Sequence, residues 1–503
     1  MKNKKQQILL TRKENLSQSL DGGGLVRSGP VLIAPNLYYD VSGRIQAIAC
    51  GGLGVIHLLV QRIGLGEELN SRLHLLKRHL PYWESDHILH VAYNVLTGGT
   101  CLQDMEALRQ DSAYLIAMGA ERLPDPTTVG DFLRRFTSEE SLLQLQEAIN
   151  TVRQRVWRQQ DALLRQRAII DVDGTHTATD GECKAGMDIS YKGVWGYAPL
   201  VIALDNTREV LYLVNRPGNV VSHQGAVPWI DRAINLVKST FKEVWLRGDT
   251  DFSLTEHFDR WDTEGIRFVF GFDASPPLIQ RAEGLPDEAW QQLERPPAYE
   301  VKTRPRKRPP RIKAERVRQR GYKNIRLETE EVAFFSYQPT QCRKTYRMVV
   351  LRKHLAIEKR SVVIEHKIRY FFYITNDQTK STDQVVEFSN DRADAENTIA
   401  QLKHGIQALR CPGRDLYANW AYMVITTLAW NLKAWYGLLM PDMNLGHQVL
   451  RMEFKRFFRT WLHLPCQILQ TGRKVVYRLL QLTPIALAML TTVTTIKQIK
   501  CLS

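Results

Sequence analysis

The residues of this chain best suited to chemistry are carboxylates at the ends of apolar runs. Asp171 and Asp173 close the run Ala168-Ile-Ile-Asp-Val-Asp173. Residues two apart on a strand project from one face, so one or both of these acids could hold a cation there. A second run, Glu243-Val-Trp-Leu-Arg-Gly-Asp249, also ends in aspartate and continues into Thr250, Asp251 and Phe252. Acids at strand ends in one sheet converge in the crevice beyond it, where open α/β sheets bind ligands. Taken singly, an aspartate in such a place is more often a turn or helix-cap residue.

The third block is Asp391-Arg392-Ala-Asp394-Ala-Glu396-Asn-Thr-Ile-Ala-Gln-Leu-Lys403. At about 100° per residue, Arg392, Glu396 and Lys403 fall within about 60° of one another, beside an apolar stripe of Ala395, Ile399, Leu402 and Ile406. Alone, this is what an i, i+4 ion pair on a solvated helix looks like. Together the three blocks support a sharper reading. Three or four carboxylates can hold two Mg²⁺ ions, with Mn²⁺ as the substitute, that keep positions open for phosphate oxygens. Two such ions about 3.5–4 Å apart stabilise the attacking and leaving oxygens of an in-line displacement. Flanking Arg and Lys hold the phosphate backbone without reading sequence.

The rest of the chain must position these acids. Residues 45–160 lack strand-like alternation, and Val129, Phe132, Leu133 and Phe136 share a helical spacing, so a helical domain with a DNA-binding role is expected there. Asp125 and Pro126 supply that helix with a cap and a first turn. Arg134 and Arg135 lie off its stripe, on a face that is either solvated or against DNA. From Arg167 the pattern turns to short apolar runs, at 168–173, 200–204, 210–214, 244–246 and 266–272, which read as strands. Gly225 to Phe241 and Ser253 to Thr263 read as the intervening helices of an α/β domain. Residues 274–365 shift to a Pro-rich, basic composition with two further strands, Val332 to Tyr337 and Tyr346 to Arg352, and read as an insertion. The core resumes at Tyr370 to Thr375, with a helix from Asp383 and another from Ala418 to Tyr436. The tail, 441–503, reads as helical and basic, and 1–44 as an arm.

The chain has 503 residues, of which 44% are apolar, enough for a large core in several units. Its 68 Lys and Arg against 53 Asp and Glu give +15, which favours a polyanionic partner. Between Lys302 and Arg326 twelve Lys or Arg face one acid, Glu315, a local +11 that leaves +4 for everything else. Such a run is by default a solvated loop. Inside a phosphate-handling enzyme it becomes a DNA contact, with Arg306, Lys307, Arg308 and Arg311 at its centre. Trp290 and Tyr299 nearby could stack on a base, although the Trp suits a core as well. The basic start of the chain lacks an apolar stretch after it and no run is long enough to span a bilayer, so a cytoplasmic, nucleoid-associated protein away from membranes is expected. Seven scattered cysteines form no C-x-x-C pair and read as free thiols.

The three acidic blocks resemble those of the DDE transposases of bacterial insertion sequences, and within them the insertion-sequence 1380 family, related to the insertion-sequence 4 group. Asp171-Val-Asp173-Gly-Thr175, Arg247-Gly-Asp249-Thr-Asp-Phe252 and Asn390-Asp-Arg392-Ala-Asp-Ala-Glu396 leading to Lys403 carry the match. The last fits a Y-(2)-R-(3)-E-(6)-K signature at Arg392, Glu396 and Lys403. The resemblance implies an α/β, ribonuclease-H-like catalytic core, 161–273 and 366–440, interrupted by a β-strand insertion between Asp249 and Glu396, a gap of 147 residues. It implies Asp173, Asp249 and Glu396 as the catalytic, metal-binding triad, with Asp171 as a further candidate ligand. Arg392, Lys403 and Arg247 become DNA contacts. Asp173 takes precedence over Asp171 because it fills the D-x-T slot. The partners implied are duplex DNA with terminal inverted repeats, target DNA, and a second copy of the chain bringing two element ends together. Two positions depart from the pattern. Ser389 stands at the signature tyrosine, and Asp251 adds an acid that reads as a helix cap or as a partner of the site.

Two other function classes fit part of the sequence. A catalytically silent DNA-binding protein of the same fold, a repressor or domesticated transposase, has no use for intact acids. A paired-carboxylate glycoside hydrolase uses the acids but leaves the concentrated basic segment unexplained.

Overall fold

The computed structural model describes residues 45–79, 81–295, 312–360, 362–472 and 474–499. The expected DNA contacts Arg306, Lys307, Arg308 and Arg311, together with Tyr299 and the arm, lie outside the described residues.

Eight main strands build the principal sheet: β1 (Arg167–Gly174), β2 (Leu200–Leu204), β3 (Glu209–Val214), β4 (Glu243–Gly248), β5 (Arg267–Phe272), β6 (Lys323–Tyr337), β7 (Tyr346–Lys359) and β8 (Val362–Thr375). Their order is β3-β2-β1-β4-β5-β8-β7-β6, and the two-residue strand Gln291–Gln292 closes the far edge. The meander β1-β2-β3 is antiparallel. β4 and β5 run parallel to β1. Parallel neighbours need a crossover, and the helix Val227–Lys238 supplies the one between β3 and β4, with Trp229, Ile230, Ala233, Ile234 and Val237 buried on its inner face.

The expected insertion is no separate sheet. β8 pairs antiparallel with β5, Phe372 against Phe272 and Ile374 against Phe270, so the inserted strands continue the core sheet. The expected boundary between 365 and 366 falls inside β8. An open β5 edge would expose unpaired backbone groups, and the hairpin pair covers it. At the opposite edge helices do this work. Asn431 accepts from Val210 N at 2.9 Å and Gln146 from Leu213 N at 2.8 Å, while Trp430 donates to Arg208 O at 2.6 Å. These side chains belong to two long helices, Glu139–Trp157 and Leu416–Leu438, the second of which is buried along most of its length.

The N-terminal region is helical from Leu53 onward. Asp125 caps the helix Pro126–Leu133 through Thr127 N and Thr128 N, and Val129, Phe132, Leu133 and Phe136 are all buried. Arg134 pairs with the neighbouring Asp131 and is exposed. The C-terminal segment departs from its helical expectation. Besides the helices Met443–Arg451 and Pro484–Gln498 it forms a hairpin, Cys466–Thr471 with Lys474–Leu479, and the first of these strands pairs with Gln46–Ile48. Gly472, at φ 57°, makes the turn, a backbone angle that favours glycine. The two ends of the described chain thus share one small sheet. Among the described residues no helix is long and apolar enough to cross a membrane, and the six described cysteines are free.

Candidate active site

β1 and β4 lie side by side and in parallel, Asp171 opposite Arg247 and Val172 opposite Gly248. Alternation therefore puts Ile169, Asp171 and Asp173 on one face in step with Trp245, Arg247 and Asp249. The face changes character along its length. At the bottom Trp245, with Ile169 packed against it, joins an apolar cluster covered by Val385 and Val386 of the helix Thr382–Asn390. In the middle row, Asp171 and Arg247 are 2% and 1% exposed and form a two-point ion pair. In the top row Asp173 and Asp249 open toward the crevice beyond the strands.

Arg247 is thus corrected from a DNA contact to an interior residue. Its remaining Nη1 donates to Phe388 O at 2.9 Å, and its guanidinium lies over the Phe388 ring. The run Val-Trp-Leu-Arg carries it inward with the strand's apolar residues, so no face is left for a phosphate. Asp171, the further candidate metal ligand, has both oxygens on Arg247 for the same reason. Gly248, between the two rows, points to the opposite face, where a Cβ would come to 3.0 Å from Phe252 Cβ.

Above the ion pair, three acids meet one guanidinium. Arg392 Nη1 lies 3.2 Å from Asp249 Oδ2 and 3.7 Å from Asp173 Oδ2, and Nη2 lies 3.6 Å from Glu396 Oε1. Arg392 opens the helix Ala393–Ala400, which carries Glu396. Burial pushes Asp173 up to about 6, with Arg392 pulling down and Asp249 pushing up. Asp249 is raised in the same way, by burial against the pull of Arg392. A turn of π-helix, Gln401–Gly405, follows and shifts the phase of the expected 100° progression. It leaves Lys403 half-buried, where burial lowers its pKa and the charge of Asp173 raises it. Ile399, Leu402 and Ile406 are buried as the stripe requires. The short 3₁₀ turn Thr250–Phe252 is capped by Asp249 itself, which accepts from Asp251 N at 3.1 Å, so the cap role expected of Asp251 falls to its neighbour. Trp290 is buried beneath Arg352, whose guanidinium stands 4.0 Å above its ring.

Among the described residues, no three His, Cys, Asp or Glu side chains are disposed to hold one metal ion as they stand, because Arg392 sits between the acids. The donors nonetheless fit a hard divalent cation. All are carboxylate oxygens, and two of them already share one cationic nitrogen. The Glu396 side chain is 66% exposed, on the open side of the cluster.

The family model for transposase DDE domain group 1 matches residues 37–501. The chain belongs to that family. A cryo-EM structure of a piggyBac transposase synaptic complex with hairpin DNA is similar at a TM-score of 0.33 and 11% identity, covering 82% of this chain and 84% of that chain. Among curated proteins none matches. In this transposase the β1–β2 connection adds a residue that no sequence motif marks. Its Lys192 lies within electrostatic reach of Asp173 and Asp251, and its signal, the tripeptide Tyr191-Lys192-Gly193, looks like any polar turn.

Proposed function

We propose that this transposase is a metal-dependent DNA enzyme of the insertion-sequence 1380 type, which binds the inverted repeats at element ends, cuts there, and joins the freed ends to target DNA. The observation that carries the reading is the meeting of Asp173, Asp249 and Glu396 on the single Arg392 guanidinium, at the C-terminal ends of adjacent parallel strands. The order β3-β2-β1-β4-β5, with an antiparallel meander followed by two parallel strands, supports a ribonuclease-H-like core. The strands β6 to β8, inserted between Asp249 and Glu396, support the insertion pattern of that group.

In this reading Asp173, Asp249 and Glu396 hold Mg²⁺ or Mn²⁺, which supplies charge neutralisation to the attacking and leaving oxygens of phosphodiester exchange. The protein's own part is positioning. β1 and β4 fix two of the acids to one register, and the Asp171–Arg247 pair beneath keeps them from shearing. Arg392, released from the acids, is within reach of a scissile phosphate, and Lys403 flanks Asp173 for the adjoining one. The first strand cut frees a 3′-hydroxyl, and the same in-line geometry then lets that hydroxyl attack target DNA, so one site serves both steps. Two copies bring two ends together.

Asp249→Ala and Glu396→Ala, assayed for divalent-ion-dependent strand cleavage on element-end DNA, are expected to lose cleavage while keeping DNA binding. Wild-type cleavage by either variant overturns the assignment.

A further inference from the structure

The connection between β1 and β2 is much longer than adjacent antiparallel strands require. It folds into a three-stranded sheet of its own, in the order Thr177–Ala178, Trp195–Tyr197, Asp188–Ile189. It carries core-type side chains left exposed among the described residues: Ile189, Tyr191 and Trp195 are 56%, 73% and 42% exposed. Tyr191 stands at the tip, edge-on to His176 with ring centroids 5.6 Å apart, and Lys192 Nζ lies 5.2 Å from the Tyr191 ring centroid. His176, against which Tyr191 packs, lines one cleft with Lys403 and follows Asp173 by three residues in the chain, so the tip stands beside that cleft, with Lys192 in electrostatic reach of Asp173 and Lys403. From His176 and Lys403 a cleft of about 830 Å³ runs past Lys184 and Arg134 to Arg410, with Asp180 as the one acid on its described wall.

A protein-docking core would be contiguous, apolar and poor in lysine. Here two exposed rings, Tyr191 and Trp195, stand with Lys192 beside a cationic cleft, the kind of surface that takes unpaired nucleic acid by stacking bases and neutralising phosphates. We propose that the 188–197 hairpin is a strand clamp: Tyr191 stacks on the base of an unpaired nucleotide next to the scissile phosphate, and Lys192 with Lys403 holds the adjoining phosphates while the strand runs on into the cleft. The clamp rests on the transposase reading above and adds to it a requirement for locally unpaired DNA at the cutting site. Tyr191 is a positioning residue in this scheme, since it touches the strand but not the reacting atoms.

The test is binding of a fluorescein-labelled single-stranded 20-mer to the full chain in EDTA, read by anisotropy, with quenching of an internal 2-aminopurine as the stacking signal. Tyr191→Ala is expected to weaken binding roughly tenfold and abolish the quenching, while Tyr191→Phe and Tyr191→Trp keep both, because every aromatic offers a π-face. Lys192→Ala is expected to reduce the salt slope by about 0.7. Wild-type binding and quenching in Tyr191→Ala overturn the clamp. So does a Tyr191→Ala variant whose only defect is in self-association, which would make the hairpin a contact between copies. Because EDTA separates binding from cleavage, the two readings fail separately. Wild-type protein that cuts element ends while Tyr191→Ala binds the 20-mer normally removes the clamp alone. Loss of binding in Tyr191→Ala with no cleavage by any form supports the clamp and removes the enzyme reading.

Discussion

Arg247 grips Asp171 at two points, Nε to Oδ1 at 2.6 Å and Nη2 to Oδ2 at 2.8 Å, one row below Asp173 and Asp249 on the same two strands. A planar fork on a carboxylate fixes angle as well as distance, so this pair sets how β1 lies against β4 and therefore where the upper acids stand. Asp205, 3.3 Å from Nη2, shares the guanidinium. Removing one partner strands a buried charge, which costs about 3–5 kcal/mol. Asp171→Ala and Arg247→Ala are thus expected to lower the unfolding midpoint and cleavage together. Asp173→Asn is expected to lose cleavage with the midpoint kept. Thermal unfolding beside a cleavage assay checks this, and a wild-type midpoint in Asp171→Ala would show the pair to be idle.

Arg392 occupies the space among the acids that a divalent cation would need. Two like-charged groups cannot share it, so on the proposed function metal entry would compete with Arg392 until DNA drew the guanidinium away. Arg392→Gln is expected to bind Mn²⁺ about tenfold more tightly than wild type without DNA, by calorimetry, and to cut more poorly with DNA present. Affinity equal to or below wild type in Arg392→Gln would remove the competition.

The strands that carry the acids were legible because buried parallel strands read as short apolar runs, and β2 ends where its run ends. The Asp125 cap and the Val129 to Phe136 stripe were legible for the same local reason. What the runs could not show was partnership. An arginine two residues before Asp249 has the same appearance whether it faces DNA or Asp171, and only the register of β1 on β4 decides. Likewise β8 begins eight residues before Tyr370, because its outer half is exposed and mixes Val362, Val363, Ile364 and Ile368 with charged residues, so no buried run marks it. The hairpin Cys466–Thr471 with Lys474–Leu479 alternates weakly, and its pairing with Gln46–Ile48 joins segments more than 400 residues apart, beyond any local pattern.

Glu209 ties three elements together at the buried edge of the sheet. Its Oε1 accepts from Arg153 Nε at 2.9 Å and Trp435 Nε1 at 2.6 Å, and its Oε2 from Trp157 Nε1 at 2.8 Å. Both charged partners are fully buried. Glu209→Gln keeps the shape but leaves Arg153 without a counter-charge, and Glu209→Ala also leaves two indole N–H groups unpaired. The expected order of unfolding midpoints is wild type, then Glu209→Gln, then Glu209→Ala, with the last lower by several degrees. A Glu209→Ala protein as stable as wild type would mean that apolar packing and the Asn431, Gln146 and Trp430 hydrogen bonds hold the helices Glu139–Trp157 and Leu416–Leu438 to the sheet edge without Glu209.

Lys433 is the complementary case, a buried cation with no acid on it among the described residues. It is 1% exposed, lies over Trp430 at 3.7 Å, and donates to Leu450 O at 3.0 Å. Burial, with Arg208 adding repulsion, brings it down to about 7. In the unfolded chain a lysine titrates at about 10.4, so between these values the unfolded state binds a proton that the folded state does not. Stability therefore falls as pH drops from about 10 toward 7 and levels off below. Lys433→Met fills the same volume without the proton and is expected to flatten that slope. At pH 7.5 it is also expected to raise the midpoint by a few degrees, less the roughly 1 kcal/mol lost when Leu450 O gives up its donor. Unfolding curves of both proteins from pH 7 to 9.5 check the prediction, and parallel curves would show that Lys433 titrates as it does in water.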